Sequence, residues 1–549
     1  MAQATSLWKD ARMNLRAISL VALPVIASII LPGCGPGGEG GSQGDTEALV
    51  TVHRGNGGEP DSLDPARAEA VHAFHVITDL YEGLLALDAH GEIIPGVAAA
   101  WDVSGDGLTY TFRLQEDARW SDGTPVTAQH FVAGIRRSMA PDTGSASAPL
   151  LYPIDNAEAV AKGKLPATAL GVVADDERTL VIRLHAPAPY LPTLLTMPIA
   201  MPFLDDGGGA RGRFSDPARF VGNGPYLLAE WRPGSFIRLQ KNPAFREAER
   251  VAVEEVRYYP IAEPMTELNM YRAGELDITF TVPGSHVQQL RESHAGELRI
   301  APFLAVYYLA FDVSEAPFDD VALRQALSMT IDREALVRVT GRGEQPAYGL
   351  VPDGIHRYAP ARVDWRSLPP EERLARARQL YAQAGYSAAE PLEVTLLFDA
   401  ADIHETIALA VSEMWRTSLG VEVRLDKREW KYFLDTRDDR DAWQVMRFAW
   451  TGDFDHPATF ADIFRSTSPQ NLPGYASDEF DRLVGRAEGT VNPEEQMRLY
   501  ADAEAVLLAD APIAPLYFYV SKHLVSPAIS GYESNVFDRH PSRYLQKRR

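Results

Sequence analysis

Cysteine is nearly absent, for the 549-residue chain holds only Cys34. A lone thiol forms no intrachain disulfide and no cysteine-based zinc site. Long apolar runs are missing too. Nowhere after residue 34 do about 18 apolar residues follow one another, so the body of the chain is expected to hold no membrane-spanning helix. Positive charge is scarce: 53 Lys and Arg stand against 75 Asp and Glu, a net charge of −22. So acidic a chain repels phosphate backbones, which argues against nucleic acid as a partner. Catalytic signatures are also lacking, with no P-loop, no zincin helix and no paired-cysteine motif. His72 and His75 fall three apart, but two histidines without a third ligand are a weak metal signal. No cofactor and no enzymatic activity are expected.

What is present begins with a targeting pattern. Lys9, Arg12 and Arg16 precede an apolar run over 17–31 that is short and interrupted by proline, unlike a typical span. The run leads into Leu31-Pro-Gly-Cys34, small residues before a cysteine. This predicts a lipoprotein signal peptide over 1–33 and lipid attachment at Cys34. A plain secretory signal with an incidental cysteine is the competing reading. Residues 34–48 are Gly-rich and read as a flexible tether. Gly33, Gly35 and Gly38 imitate a dinucleotide fingerprint, and 40–44 imitates a nucleophile elbow. Neither has a strand before it and a helix after it.

Beyond the tether, 46% hydrophobic and 23% charged residues make an ordinary globular mixture. Residues 108–114 alternate with period two and predict a strand. Asp122-Gly123 marks a turn, and Thr127 is placed to cap a helix carrying Phe131, Val132 and Ile135. Further strands are predicted at 180–184, 251–259, 392–398 and 421–425. Helices are predicted over 321–331 and around Ile407, Val411, Met414 and Trp415. The pattern is mixed α/β and long enough for several lobes.

Six stretches carry a resemblance. They are Glu59-Pro-Asp-Ser-Leu-Asp-Pro65 with Tyr81-Glu-Gly-Leu84; Trp120-Ser-Asp-Gly-Thr-Pro-Val-Thr127; Asn223-Gly-Pro-Tyr226; Tyr271-Arg-Ala-Gly-Glu-Leu-Asp277; Ala316-Pro-Phe-Asp-Asp-Val321 with Arg324-Gln-Ala-Leu327 and Asp332-Arg333; and Glu429-Trp-Lys-Tyr-Phe-Leu-Asp-Thr-Arg437 with Arg447-Phe-Ala-Trp-Thr-Gly-Asp453. In this order, from about Val50 to near the C-terminus, the chain resembles the oligopeptide-binding family of ABC-importer receptors. The resemblance implies an α/β fold like the type II periplasmic binding proteins, with two lobes joined by a hinge and an extra inserted domain. It places lobe I at 49–81, 203–304 and 521–549, the inserted domain at 82–202 and lobe II at 305–520. The implied partners are short peptides, a membrane ABC permease and, through the lipid anchor, the membrane. A monomer is expected.

A free peptide offers an ammonium, a carboxylate and a row of amides. Enclosing it requires an opposite charge at each end. The resemblance assigns Asp453 to the ammonium, and Arg437, Arg447 and His404 to the carboxylate at different peptide lengths. Arginine suits the second task because its planar fork engages a carboxylate through two bonds. Trp430, Trp450 and Tyr308 would line side-chain pockets, with core packing as their competing role. Glu69 would meet a basic side chain. The chain departs from the family pattern at Phe454 (often tyrosine), Gly341 (lysine, here followed by Arg342) and Ala310 (an acid). Alternative readings are a receptor for murein or signalling peptides, a relative binding another solute, and an exported hydrolase, for which no nucleophile–base pair is found.

Overall fold

The computed structural model describes residues 49–205, 213–437, 439 and 442–548. The signal segment, the tether and Cys34 lie outside the described residues. No helix among those described is long and apolar enough to cross a membrane.

Three sheets organise the chain. The first orders its strands as Thr51–Gly55, Glu255–Tyr259, Phe236–Lys241 and Tyr226–Arg232, with only the first pair parallel. The second is antiparallel and runs Ala98–Val103, Thr109–Leu114, Thr179–Arg183, Val172–Ala174. The third has six strands in the order Gln345–Pro346, Ile513–Leu524, Leu298–Phe311, Val445–Thr451, Glu393–Asp399, Glu422–Arg428. Its two long central strands pair antiparallel from Leu298↔Leu524 to Ala310↔Ile513, and their register breaks between Pro302 and Val306. At that break the Leu304 N–H donates to the Val536 carbonyl at 3.2 Å instead. Arg54 and Val525 both bridge to Ile278, tying the first sheet to the end of a long strand.

Local chemistry explains these elements. Tyr110, Phe112 and Leu114 alternate inward along their strand, the period-two pattern of a half-buried sheet. Helix Ala128–Met139 starts where Thr127 was expected to cap it, and the Thr127 N–H donates to His130 Nδ1 at 3.0 Å. Two predicted elements come out shorter. The helix expected over 321–331 is Val321–Met329, because Asp332 caps a new helix, Arg333–Thr340, by accepting from the Ala335 N–H at 2.8 Å. The strand expected over 251–259 begins at Glu255, since the Glu254 N–H is taken by the Val50 carbonyl.

Most of the resemblance motifs act as pins. Asn223 reads the Glu82 backbone both ways, donating to its carbonyl at 2.8 Å and accepting from its N–H at 3.2 Å. Gly224 lies so close to the Leu80–Tyr81 peptide that a Cβ would sit 2.5 Å from it. Asp64 receives both Arg137 NH groups, at 2.6 and 2.5 Å, joining the first motif to helix Ala128–Met139. Arg333 is wholly buried and donates to the carbonyls of Ala347, Pro515, Ser328 and Ile331. His72 and His75 both pack on Phe280, at 5.3 and 5.8 Å between ring centroids.

Candidate functional site

The predicted residues gather mainly on the third sheet. Strand Val445–Thr451 lies between the long strand Leu298–Phe311 and strand Glu393–Asp399. It presents Arg447 and Trp450 and leads directly to Asp453. Helix Asp402–Leu419 opens with His404 in its first turn, and helix Trp430–Arg437 carries both of its named residues at its ends.

Asp453 is held by its backbone. Its N–H donates to Thr459 Oγ1 at 3.0 Å, and Trp450 Nε1 donates to the Thr459 carbonyl at 2.7 Å. The preceding Gly452 N–H donates to the Leu304 carbonyl at 2.7 Å, next to the register break. The Asp453 carboxylate itself has no hydrogen-bond or ion-pair partner among the described residues. It reaches the surface, yet its surroundings withhold enough water that burial raises its pKa. Phe454, where the family often has tyrosine, stacks on Tyr190 with centroids 4.5 Å apart and planes 14° from parallel. The stack joins two distant parts of the chain.

Arg447 and His404 belong to one cluster. The Arg447 guanidinium is ion-paired with Asp399, and lies over Phe433 at 5.0 Å and Trp430 at 5.8 Å. Its Nε is buried without a hydrogen-bond partner among the described residues. His404 Nδ1 is 3.1 Å from Tyr307 Oη, the two rings stack, and His404 Nε2 lies 3.7 Å from Asp399. Burial, aided by the Arg447 cation, pushes the His404 pKa down to about 4. At neutral pH His404 is therefore uncharged, and it can serve an anion only as a hydrogen-bond donor. Arg342 also acts electrostatically on His404 and packs on the Gly284 backbone, where a Cβ would meet its Nε at 2.2 Å.

The other expected residues are more scattered. Trp430 is 53% exposed, stacked on Phe433. Arg437 is half-buried, and its carbonyl receives Trp443 Nε1 at 3.3 Å. Trp450 is half-buried against the core. Glu69 sits in the loop before helix Val71–Leu80, exposed, with its N–H donated to Asp61 at 2.8 Å. Tyr308 is 2% exposed and packs between Phe448 and Phe464 on the face of its strand opposite Tyr307. Sequence reasoning missed Asp399, Tyr307 and Thr459. Asp399 carried one faint signal, as the acid that ends an apolar strand just before a helix.

A cavity of about 40 Å³ lies elsewhere, lined by Tyr81, Glu82 and Arg543. It has room for roughly one to three waters and none for a peptide.

Known proteins resemble the chain over most of its length. Residues 92–471 match the family described as bacterial extracellular solute-binding proteins, family 5 Middle. The chain is 36% identical to the periplasmic oligopeptide-binding protein OppA of Salmonella typhimurium, over 94% of this chain and 96% of that protein. It is also 36% identical to the periplasmic murein peptide-binding protein MppA of Escherichia coli, over 87% and 89%. Among solved structures, the unliganded open form of MppA superposes with a TM-score of 0.85 at 34% identity, covering 91% of this chain and 98% of that one. A second MppA structure gives 0.73 with 91% and 99% covered. Haemophilus influenzae OppA in complex with the peptide RPPGFSPFR gives 0.71 at 31% identity, with the same coverage. The chain thus superposes better on the unliganded open form of MppA than on the second MppA structure.

Proposed function

We propose a role for a chain that belongs to the bacterial extracellular solute-binding proteins of family 5: it captures short peptides between two lobes and delivers them to a membrane ABC importer. The observation that carries this reading is the Asp453 carboxylate, fixed through its backbone and left without a partner. A peptide ammonium supplies the charge-assisted bond that such a carboxylate lacks. Arg447, six residues earlier, offers a buried, unmatched Nε to the other end of the ligand. Six residues span at most about 20 Å, room for an extended peptide of up to about five residues. The peptide amides would be met by strand-like backbone pairing that is indifferent to sequence.

Lobe I comprises 49–81, 203–304 and 521–549, lobe II comprises 305–520, and the inserted domain comprises 82–202. The register break at Pro302–Val306 serves as the hinge, because broken ladder bonds cost less to bend. Better superposition on an open relative than on a peptide complex supports an open arrangement that closes on ligand. Attachment through Cys34 holds the receptor at the membrane, and the chain acts as a monomer without hydrolysing its ligand.

A murein-peptide receptor is the second reading, favoured by Arg342, whose charge acts on His404 as that of Arg447 does, since such peptides bring extra carboxylates. The test is calorimetric titration of protein stripped of co-purified ligand by unfolding and refolding. Free tripeptides and tetrapeptides are expected to bind one to one and to be recovered intact. A murein tripeptide that outcompetes ordinary tripeptides would establish the second reading, and cleaved peptide would overturn both.

A further inference from the structure

Near the end of strand Ile513–Leu524, well apart in sequence from Asp453 and Arg447, three side chains converge. His523 Nε2 lies 2.6 Å from Asp538 Oδ1, and His540 Nε2 lies 3.1 Å from the same oxygen. The ligand-capable atoms of the three lie within 4.8 Å of one another. Tyr532 stacks on His540, centroids 4.1 Å apart, with its Oη 2.9 Å from His540 Nε2.

The remaining ring nitrogens decide the chemistry. His523 Nδ1 is 2.9 Å from the Thr279 carbonyl oxygen, and His540 Nδ1 is 3.0 Å from the Glu533 carbonyl oxygen. A carbonyl only accepts, so each Nδ1 carries a hydrogen. In each neutral ring Nε2 then presents a lone pair, and both lone pairs face one carboxylate oxygen. A proton or a metal ion can lie between a ring nitrogen and the carboxylate. A proton on His523 Nε2 relieves that ring, while at His540 Nε2 the Tyr532 hydroxyl, 2.9 Å away, is placed to donate to the lone pair. A single metal ion relieves all three groups at once. The carbonyl bond at Nδ1 is also the support that orients metal-binding histidines.

We propose that His523, Asp538 and His540 bind one divalent transition-metal ion of the zinc class, with Tyr532 Oη or water completing the coordination. Two imidazole nitrogens and a carboxylate oxygen suit such ions. The histidine side chains are 7% and 5% exposed and the Asp538 side chain 21%, so the ion enters past Asp538. The bound ion fastens the C-terminal segment to the long strand and to Thr279. Two residues before Asp538, the Val536 carbonyl holds Leu304 at the register break, so the ion braces the segment that abuts the hinge.

The test uses tag-free full-length protein freed of metal with a chelator, and then Zn²⁺ alone. One equivalent is expected to bind saturably and to raise the melting temperature, as any ligand of the folded state does. Co²⁺ in place of Zn²⁺ should give the visible absorption of a four- or five-coordinate site. His540→Gln and Asp538→Asn should each bind Zn²⁺ more than about tenfold more weakly and lose the melting shift. His185→Gln, at an exposed histidine outside the cluster, should keep both. Should His540→Gln not fold, Asp538→Asn decides, because asparagine also tolerates the left-handed backbone found at Asp538, φ 56°. Unchanged melting with Zn²⁺, or binding that survives both substitutions, would overturn the site in favour of an imidazolium–carboxylate pair.

Discussion

The Asp453 N–H lies 3.0 Å from Thr459 Oγ1, and this bond sets the turn that aims the Asp453 carboxylate while leaving the carboxylate uncommitted. Thr459 is 4% exposed, so replacing its hydroxyl leaves a poorly hydrated N–H without an acceptor. Thr459→Val should cost about 1–3 kcal/mol of stability. It should also weaken peptide capture by less than Asp453→Asn does, since the charge remains. Thermal melting and calorimetry measure the two effects separately.

Peptide affinity should depend on pH through both partners of the amine bond. Burial raises the Asp453 pKa in the free protein, and ligand binds its ionised form. Affinity therefore rises with pH as Asp453 loses its proton and levels off only above the ordinary aspartate range. It falls again above about pH 8, where an α-ammonium deprotonates. In Asp453→Asn the acid limb should vanish, which titration calorimetry across pH would reveal.

The Arg447–Asp399 pair predicts two distinct losses. Asp399→Ala leaves a buried guanidinium without its counter-ion and should cost about 3–5 kcal/mol of stability. Arg447→Met strands the Asp399 carboxylate in turn, and should also weaken binding of free-acid tripeptides by about 1.5–3 kcal/mol, roughly ten- to a hundredfold. Peptides with an amidated C-terminus should scarcely notice that change. Comparing the two peptide forms on the two variants separates folding from recognition.

Asp462 gives the fold itself a pH dependence. Burial, with Glu488 nearby, pushes its pKa up to about 7 from an ordinary 3.8, and its Oδ1 finds no hydrogen-bond partner among the described residues. The folded state thus binds the proton more tightly than the unfolded chain does. This contribution to stability is full below about pH 4 and is lost as pH rises through about 7. Asp462→Asn should flatten that decline and raise the melting temperature at pH 8 relative to wild type. A steeper decline in the variant would contradict the assignment.

Elements were legible in the sequence because their chemistry is local. Thr127 as a helix start and the alternation through Tyr110 and Phe112 each depend on a few neighbouring atoms. The site was legible only through the resemblance, because it is assembled by non-local pairing. Strand Glu393–Asp399 meets Val445–Thr451 in parallel, with Leu396 opposite Val445, and that pairing brings Asp399 to Arg447. Beyond the acid that ends an apolar strand at Asp399, nothing near either residue announces it. Period two places Tyr307 and Tyr308 on opposite faces but does not say which face meets the His404 cluster, and Tyr307 is the one that does.

The central claim, that Asp453 receives a peptide ammonium, is tested most directly by melting the stripped protein with a free tripeptide and with its N-acetylated form, in wild type and in Asp453→Asn. At 100 times the dissociation constant the free peptide should add about 2.7 kcal/mol to the folded state. The account predicts a rise with free peptide in wild type alone, and little or none with acetylated peptide or with Asp453→Asn. An equal rise with both peptides, or a rise that survives the substitution, would contradict it.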